Sequence, residues 1–418
     1  MTSAKELPPQ SPAPVPSRWK KALRVLLGVL VFLVLVAAYL YLFETPHHST
    51  PTTAPQAVQA SGDKVLDAIR RGIEFLKVHQ EADGEFSKGI IDPKPGFTAV
   101  VVDAIARSPD NCREADQPFL AKATRAILSH QQKDGSICTP EFSLETYTTA
   151  VSIMALTALE NPAHAPAIQR AKEYLLAVQY KDDESSPNFG AAGYKTEGRT
   201  SGDVTAQWVE ALKAAGLKEG DPAFVNAQKF LSRLQNNAET NAQPAPGTAV
   251  GSDGGSFYRP GESKAGFELT RDGKRIPKSY GLMSYANLKS FLYLNVGKDD
   301  PRVVSAFRWV CDNYTLDENR NIGADGLFYY FLTMSKALTA YGEALIATTD
   351  GKTHVWAREL SDKLLSLQRP DGSWCNMQSN RWKEDDAVMV TAFALRTLSL
   401  CHDELQKHPA QPAPSGGQ

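Results

Sequence analysis

Cysteine is scarce in this chain, neither sign of charge dominates, and long apolar runs are almost absent. Five cysteines in 418 residues cannot staple a disulfide scaffold. Lysine plus arginine number 45 against 47 aspartates plus glutamates, a net charge of −2, so no basic excess points to a nucleic-acid partner. There is no C-x-x-C pair, no phosphate-cradling glycine loop, no Ser-His-Asp elbow and no H-E-x-x-H. These absences argue against redox dithiol, P-loop, serine-hydrolase and metalloprotease chemistry. What is present is apolar material for a large core: 42% of residues are hydrophobic and 9% aromatic, which excludes a wholly disordered chain.

One apolar run breaks the pattern. Val25–Phe43 is nineteen residues without a charge, preceded by Arg18, Lys20, Lys21 and Arg24 and followed by Glu44. As a helix it extends about 29 Å, the hydrocarbon thickness of a bilayer. Trp19, Tyr39 and Tyr41 suit the two interfaces, and the flanking cations keep the amino terminus in the cytoplasm. A cleaved signal peptide has a shorter core and an A-x-A-like site, and neither is found here. The expectation is a single-pass protein. Residues 1–21 are a disordered cytoplasmic tail, 22–43 a transmembrane helix acting as signal anchor and 44–62 a linker. Residues 63–405 form an extracytoplasmic (periplasm-like) folded domain, and 406–418 a second disordered tail.

The folded part repeats itself. Gln80, Gln131 and Gln368 each open a Q-x-x-D-G string ending in an aromatic or apolar residue. Gln179 lacks the nearby glycine, Gln235 reaches Asp253-Gly254 only across an insertion, and Asn313 is a worn copy. The anchors lie 51, 48, 56, 78 and 55 residues apart. An amphipathic helix precedes each anchor and a more uniformly apolar one follows it. Each Asp-Gly supplies the turn between them. Six such pairs without a polar terminal repeat predict closure into a ring, an all-α fold with an (α/α)6 toroid of six helix-pair repeats. Residues 236–280 interrupt it with an expected β-hairpin around Asp272-Gly273, placed to cap one mouth.

Gln368-Arg-Pro-Asp371-Gly372-Ser373-Trp374 matches the QW motif of squalene–hopene cyclases and related terpenoid cyclases. Over about residues 64–402 the chain resembles the α/α toroid those enzymes share with protein prenyltransferase β-subunits. The resemblance implies that Gln368 and Trp374 tie neighbouring helix pairs, and that a central cavity receives an isoprenoid or other hydrophobic ligand. In class II cyclases the acid is an aspartate of an Asp-x-Asp-Asp string. Here Lys383-Glu384-Asp385-Asp386 is nearest, with Asp385 and Asp386 as the candidate acid pair. Lys383 stands where the first aspartate belongs, and the chain has room for only one toroid, so a binding function without orthodox cyclisation is favoured. A terpenoid cyclase or isomerase is the alternative, and a carbohydrate-active toroid the second.

Further candidates stand at inner-helix starts or on aromatic positions. They are Glu145, Asp203, Asp325, Tyr280, Tyr285, Tyr329 and Trp382, each also at home as a helix cap or in the core. Prenyltransferase-like zinc would draw on Cys311, Asp312 and His354, but the local pattern departs from the family's. Nothing calls for a metal or cofactor. The expected partners are the membrane, through the N-terminal helix, and a lipid or isoprenoid.

Overall fold

Each amphipathic segment forms an outer helix and each apolar segment an inner one, alternating without exception. The computed structural model describes residues 57–87, 93–140 and 144–408. The predicted span, the first predicted tail, most of the linker and residues 409–418 of the second tail lie outside these residues, while 406 and 407 of that tail continue the last helix. Among the described residues no helix is long and apolar enough to cross a membrane.

The pairs are α1 (Ala57–Val78) with α2 (Lys94–Ala106), α3 (Pro118–Ser129) with α4 (Glu145–Ala158), and α5 (Ala165–Ala177) with α6 (Gly202–Ala214). They continue with α7 (Pro222–Ser232) and α8 (Gly281–Tyr293), α9 (Pro301–Asn313) and α10 (Leu327–Tyr341), α11 (Trp356–Leu367) and α12 (Ala387–Lys407). Proline at the first turn opens α3, α7 and α9, where its missing N–H costs nothing.

The even-numbered helices form the wall of the ring. α2 packs on α4, α4 on α6, α6 on α8, α8 on α10 and α10 on α12, and α12 returns to α2. Their Ala, Val, Leu and Phe side chains are buried because each inner helix has neighbours on both sides as well as outside. α1 lies on α12 across the seam, so the first and last repeats close on each other.

Backbone clamps hold the repeats in register. Gln80 Nε2 donates to the carbonyls of Gly84 (3.0 Å) and of Phe119 in the next outer helix (2.8 Å). Gln131 does the same to Gly135 and Ala167, Gln179 to Gly190 and Ala223, and Gln235 to Gly254 and Arg302. Gln368 closes the ring, reaching Gly372 and, back in the first outer helix, Ala68 (both 2.9 Å). Trp374 Nε1 donates to Leu364 and its backbone N–H to Thr391, pinning α11 to α12. The glycine missing after Gln179 is supplied by Gly190 across a longer loop. Asn313 bonds only within its own helix, to Trp309.

Two hairpins decorate the ring. β1 (Phe267–Leu269) pairs antiparallel with β2 (Arg275–Pro277), Phe267 opposite Pro277, around the expected Asp272-Gly273 turn. β3 (Leu345–Ala347) pairs with β4 (Thr353–Val355) around Asp350-Gly351, a second hairpin with the same turn signal that the repeat pattern had obscured.

Candidate functional site at the mouth of the ring

Every loop from an outer to an inner helix lands at the amino ends of the inner helices. Four of them, 178–201, 233–280, 314–326 and 368–386, form one mouth. The loops also serve the orphan N–H groups of the first turns. Tyr194 O accepts from Thr146, Tyr258 O from Gly202, and Arg320 O from Gly281. At α10 the acceptor is a side chain instead. Glu384 takes the N–H of Tyr329 (2.8 Å) and the amide of Asn376 (2.7 Å). Glu384 is fully buried, and burial pushes its carboxyl up to about 7 against these hydrogen bonds.

The centre of the mouth belongs to Asp203, in the first turn of α6. Burial raises its carboxyl above the ordinary aspartate range, although Tyr329 Oη donates to Oδ1 at 2.8 Å. Gln207, one turn deeper, donates to the same tyrosine oxygen at 2.5 Å. Tyr194 and Tyr258 join hydroxyls at 2.8 Å, and Lys264 stands 4.1 Å over the Tyr258 ring. Tyr280 is buried beside Tyr258 in a small cluster of its own with Ala206, Leu282, Met283 and Ala286. The 233–280 insertion therefore does line the mouth, through Tyr258 and Lys264.

The other candidates scatter. Asp385 is exposed, and Asp386 is committed to capping α12, accepting from Val388 (2.8 Å) and Met389 (3.1 Å). Neither is the buried carboxyl that alkene protonation requires. The neighbouring Glu384 is buried, but it is spent on the start of α10. Glu145 begins α4 half-buried, with its carboxyl raised by burial. Asp325 ties down the last loop through Ser379 (2.7 Å) and Arg381 (3.0 Å). Trp382 packs a ring edge against Gly326, 40% exposed, in a left-handed conformation with φ 55°. Tyr285 is in the main core, edge-on to Tyr330 at 5.6 Å, and does not line the axis.

His354 faces Glu359 (2.9 Å). No group of three or more metal-binding side chains gathers among the described residues. No disulfide joins the cysteines among the described residues.

Below this layer the axis narrows to a cavity of about 30 Å³, among whose walls are Tyr147, Gln207, Tyr329, Leu332, Lys336 and Phe393. That volume admits a compact group of a few atoms and no chain. Sequence reasoning missed Glu384, Gln207, Tyr194 and Tyr258, since each acquires its role from a partner more than 50 residues away.

No protein-family model and no curated protein matches the sequence. Solved structures do. The type II terpene cyclase MstE from Scytonema in its apo form is 13% identical with a TM-score of 0.52, over 82% of this chain and 99% of that one. A variant of that enzyme in complex with geranylgeranyl dihydroxybenzoate as substrate is 12% identical with a TM-score of 0.50, over 83% and 99%. A protein from Actinoplanes is 15% identical with a TM-score of 0.50, over 81% and 99%. The chain has the α/α toroid fold of the terpenoid cyclases. Within that toroid the mouth at the inner-helix amino ends, with Asp203 at its centre, is the place where a desolvated acid, aromatic faces and cations converge.

Proposed function

We propose that this protein is a membrane-anchored, extracytoplasmic toroid that binds a hydrophobic or isoprenoid-like ligand across its mouth without cyclising it. The observation that carries this reading is the axial cavity. A polyprenyl chain needs a pocket of several hundred Å³ to fold up inside a ring, and drug-sized ligands need about 300–1,000 Å³. About 30 Å³ of axial space cannot receive one. The mouth, by contrast, offers Trp382 and the half-buried Tyr194, with Lys264 over the buried Tyr258 ring, a setting in which an apolar ligand with one polar end can lie. Anchoring by the N-terminal segment keeps such a site beside a membrane.

One observation favours a second reading, acid catalysis of the terpenoid-cyclase type. Burial raises the Asp203 carboxyl above the ordinary aspartate range, the direction a general acid needs, and Tyr329 orients it. Protonation of an alkene by Asp203, rather than by Asp385 or Asp386, is the form this alternative takes.

Full-length protein in detergent, incubated with radiolabelled geranylgeraniol, tests both. Saturable retention of unchanged lipid, weakened about five- to tenfold by Trp382→Ala, is expected. Absence of retention overturns the binding reading. A cyclised product that disappears in Asp203→Asn replaces it with the catalytic one.

A further inference from the structure

Deeper in the ring, five of the six inner helices present a charge at one level. These are Asp103 on α2, Glu210 on α6, Lys289 on α8, Lys336 on α10 and Arg396 on α12. Each occupies the third turn of its helix, about 10 Å below the Asp203 layer. α4 contributes Met154, and Arg107, one turn beyond Asp103, completes the set. The two acids are each shared by two bases. Glu210 binds Lys289 and Lys336, both at 2.6 Å. Asp103 binds Arg107 at 2.7 Å and lies 3.8 Å from Arg396. Four cations thus face two carboxylates inside the wall of the ring.

Such an excess is costly where water is scarce. The response of the groups is consistent. Burial tends to raise Glu210, but Lys289 and Lys336 outweigh it and hold its carboxyl far below the usual range. Burial lowers Lys336 and Arg396 even though Glu210 and Asp103 oppose it. While α12 runs on to Lys407, α2, α4, α6, α8 and α10 end within five residues of this level, and their carboxyl-end dipoles offset part of the excess. They leave Arg396 unserved: its buried Nε has no hydrogen-bond partner among the described residues. Arg396 and Lys336 both border the axial cavity of about 30 Å³.

We propose that this layer is a small-oxyanion site, in which a phosphate or carboxylate group sits in the axial cavity against the Arg396 guanidinium and the Lys336 ammonium. A guanidinium presents forked donors that match two oxygens of such a group, and the second cation supplies the remaining charge. Asp103, the carboxylate nearest Arg396, is already held by Arg107, and Glu210 is saturated by two lysines. The guest therefore balances charge that the protein itself leaves over. From above, Tyr147, Gln207 and Tyr329 line the same space, and its size admits one compact group but no sugar or nucleotide. The site lies below the mouth, with Gln207 and Tyr329 between the two, and does not depend on a ligand binding in the mouth.

The test uses the full-length chain in detergent, exchanged into chloride buffer. Inorganic phosphate, acetate or octanoate is titrated at constant ionic strength while thermal unfolding is followed. Tm is expected to rise by several degrees with the logarithm of added oxyanion. A response to phosphate above acetate assigns a phosphate group, and a response to acetate a carboxylate. A response to octanoate alone, whose tail has no room in this cavity, overturns the axial placement. Arg396→Gln should abolish the rise. Without added oxyanion it should melt no lower than the unsubstituted protein, because an unmatched charge has been removed. If that variant does not fold, isothermal titration of the unsubstituted protein with phosphate and acetate decides the matter by saturable binding or its absence. Indifference of Tm to all three anions, or an equal response to added chloride, overturns the proposal.

Discussion

Glu384 caps α10 from 55 residues away, and this makes one carboxyl a reporter on the last loop of the ring. Its ordinary value is 4.5, and burial carries it to about 7 in the folded protein. A carboxyl raised on folding binds its proton more tightly when folded. Its stabilising contribution is complete below pH 4.5 and is lost as pH rises through 7. Glu384→Gln keeps an acceptor for the Tyr329 N–H and removes the titration. In urea unfolding, the original protein should lose about 3 kcal/mol relative to Glu384→Gln between pH 4.5 and pH 8. A difference independent of pH would mean that Glu384 is ionised throughout, held by the helix dipole. The string Lys383-Glu384-Asp385-Asp386 drew attention in the sequence to the two aspartates. It did not reveal which acid turns inward, since that depends on Asn376 and the start of α10, both outside the string. Asp203 was legible as an acid at an inner-helix start. Its bond to Tyr329 was not.

At the scale of the element, the Gln-x-x-Asp-Gly clamp was the most readable feature and the most exacting. Its glycine has two physical reasons. Gly135 sits at φ +92°, where side chains are strained, and a Cβ there would come within 2.3 Å of the Arg170 carbonyl. Gly84, Gly190, Gly254 and Gly372 meet the next outer helix in the same way. Gly135→Ala should therefore destabilise by about 2–4 kcal/mol, through strain and displaced backbone together, measured by chemical unfolding. Gln368→Ala removes the bond across the seam to Ala68 and the local one to Gly372, and should cost about 2–3 kcal/mol. Asn313→Ala, at the worn copy, should cost under about 1 kcal/mol, because Asn313 spans no repeat boundary. Equal effects at the two positions would contradict the clamp.

At the scale of the whole molecule, closure sets the cooperativity. An open solenoid can shed a terminal repeat, because each repeat contacts only its neighbours. Here α12 lies between α10 and α2 and also carries α1. A chain ending at residue 355, without α11 and α12, exposes the apolar flanks of both first and last remaining pairs. Circular dichroism should show no cooperative thermal transition for it, and dye binding should report exposed apolar surface. A truncated chain that melts cooperatively would instead mark an open array. The amino-acid sequence by itself determined the local rules: which segments are helices, which of each pair is buried, where the turns lie and how many repeats there are. These follow from hydrophobic period and turn chemistry acting over a few residues. Only the tertiary structure decided what fills the axis, which acids are desolvated and that four cations meet two carboxylates at one level. Those properties depend on the rotation of each inner helix about its own axis, which is settled by packing among six helices at once.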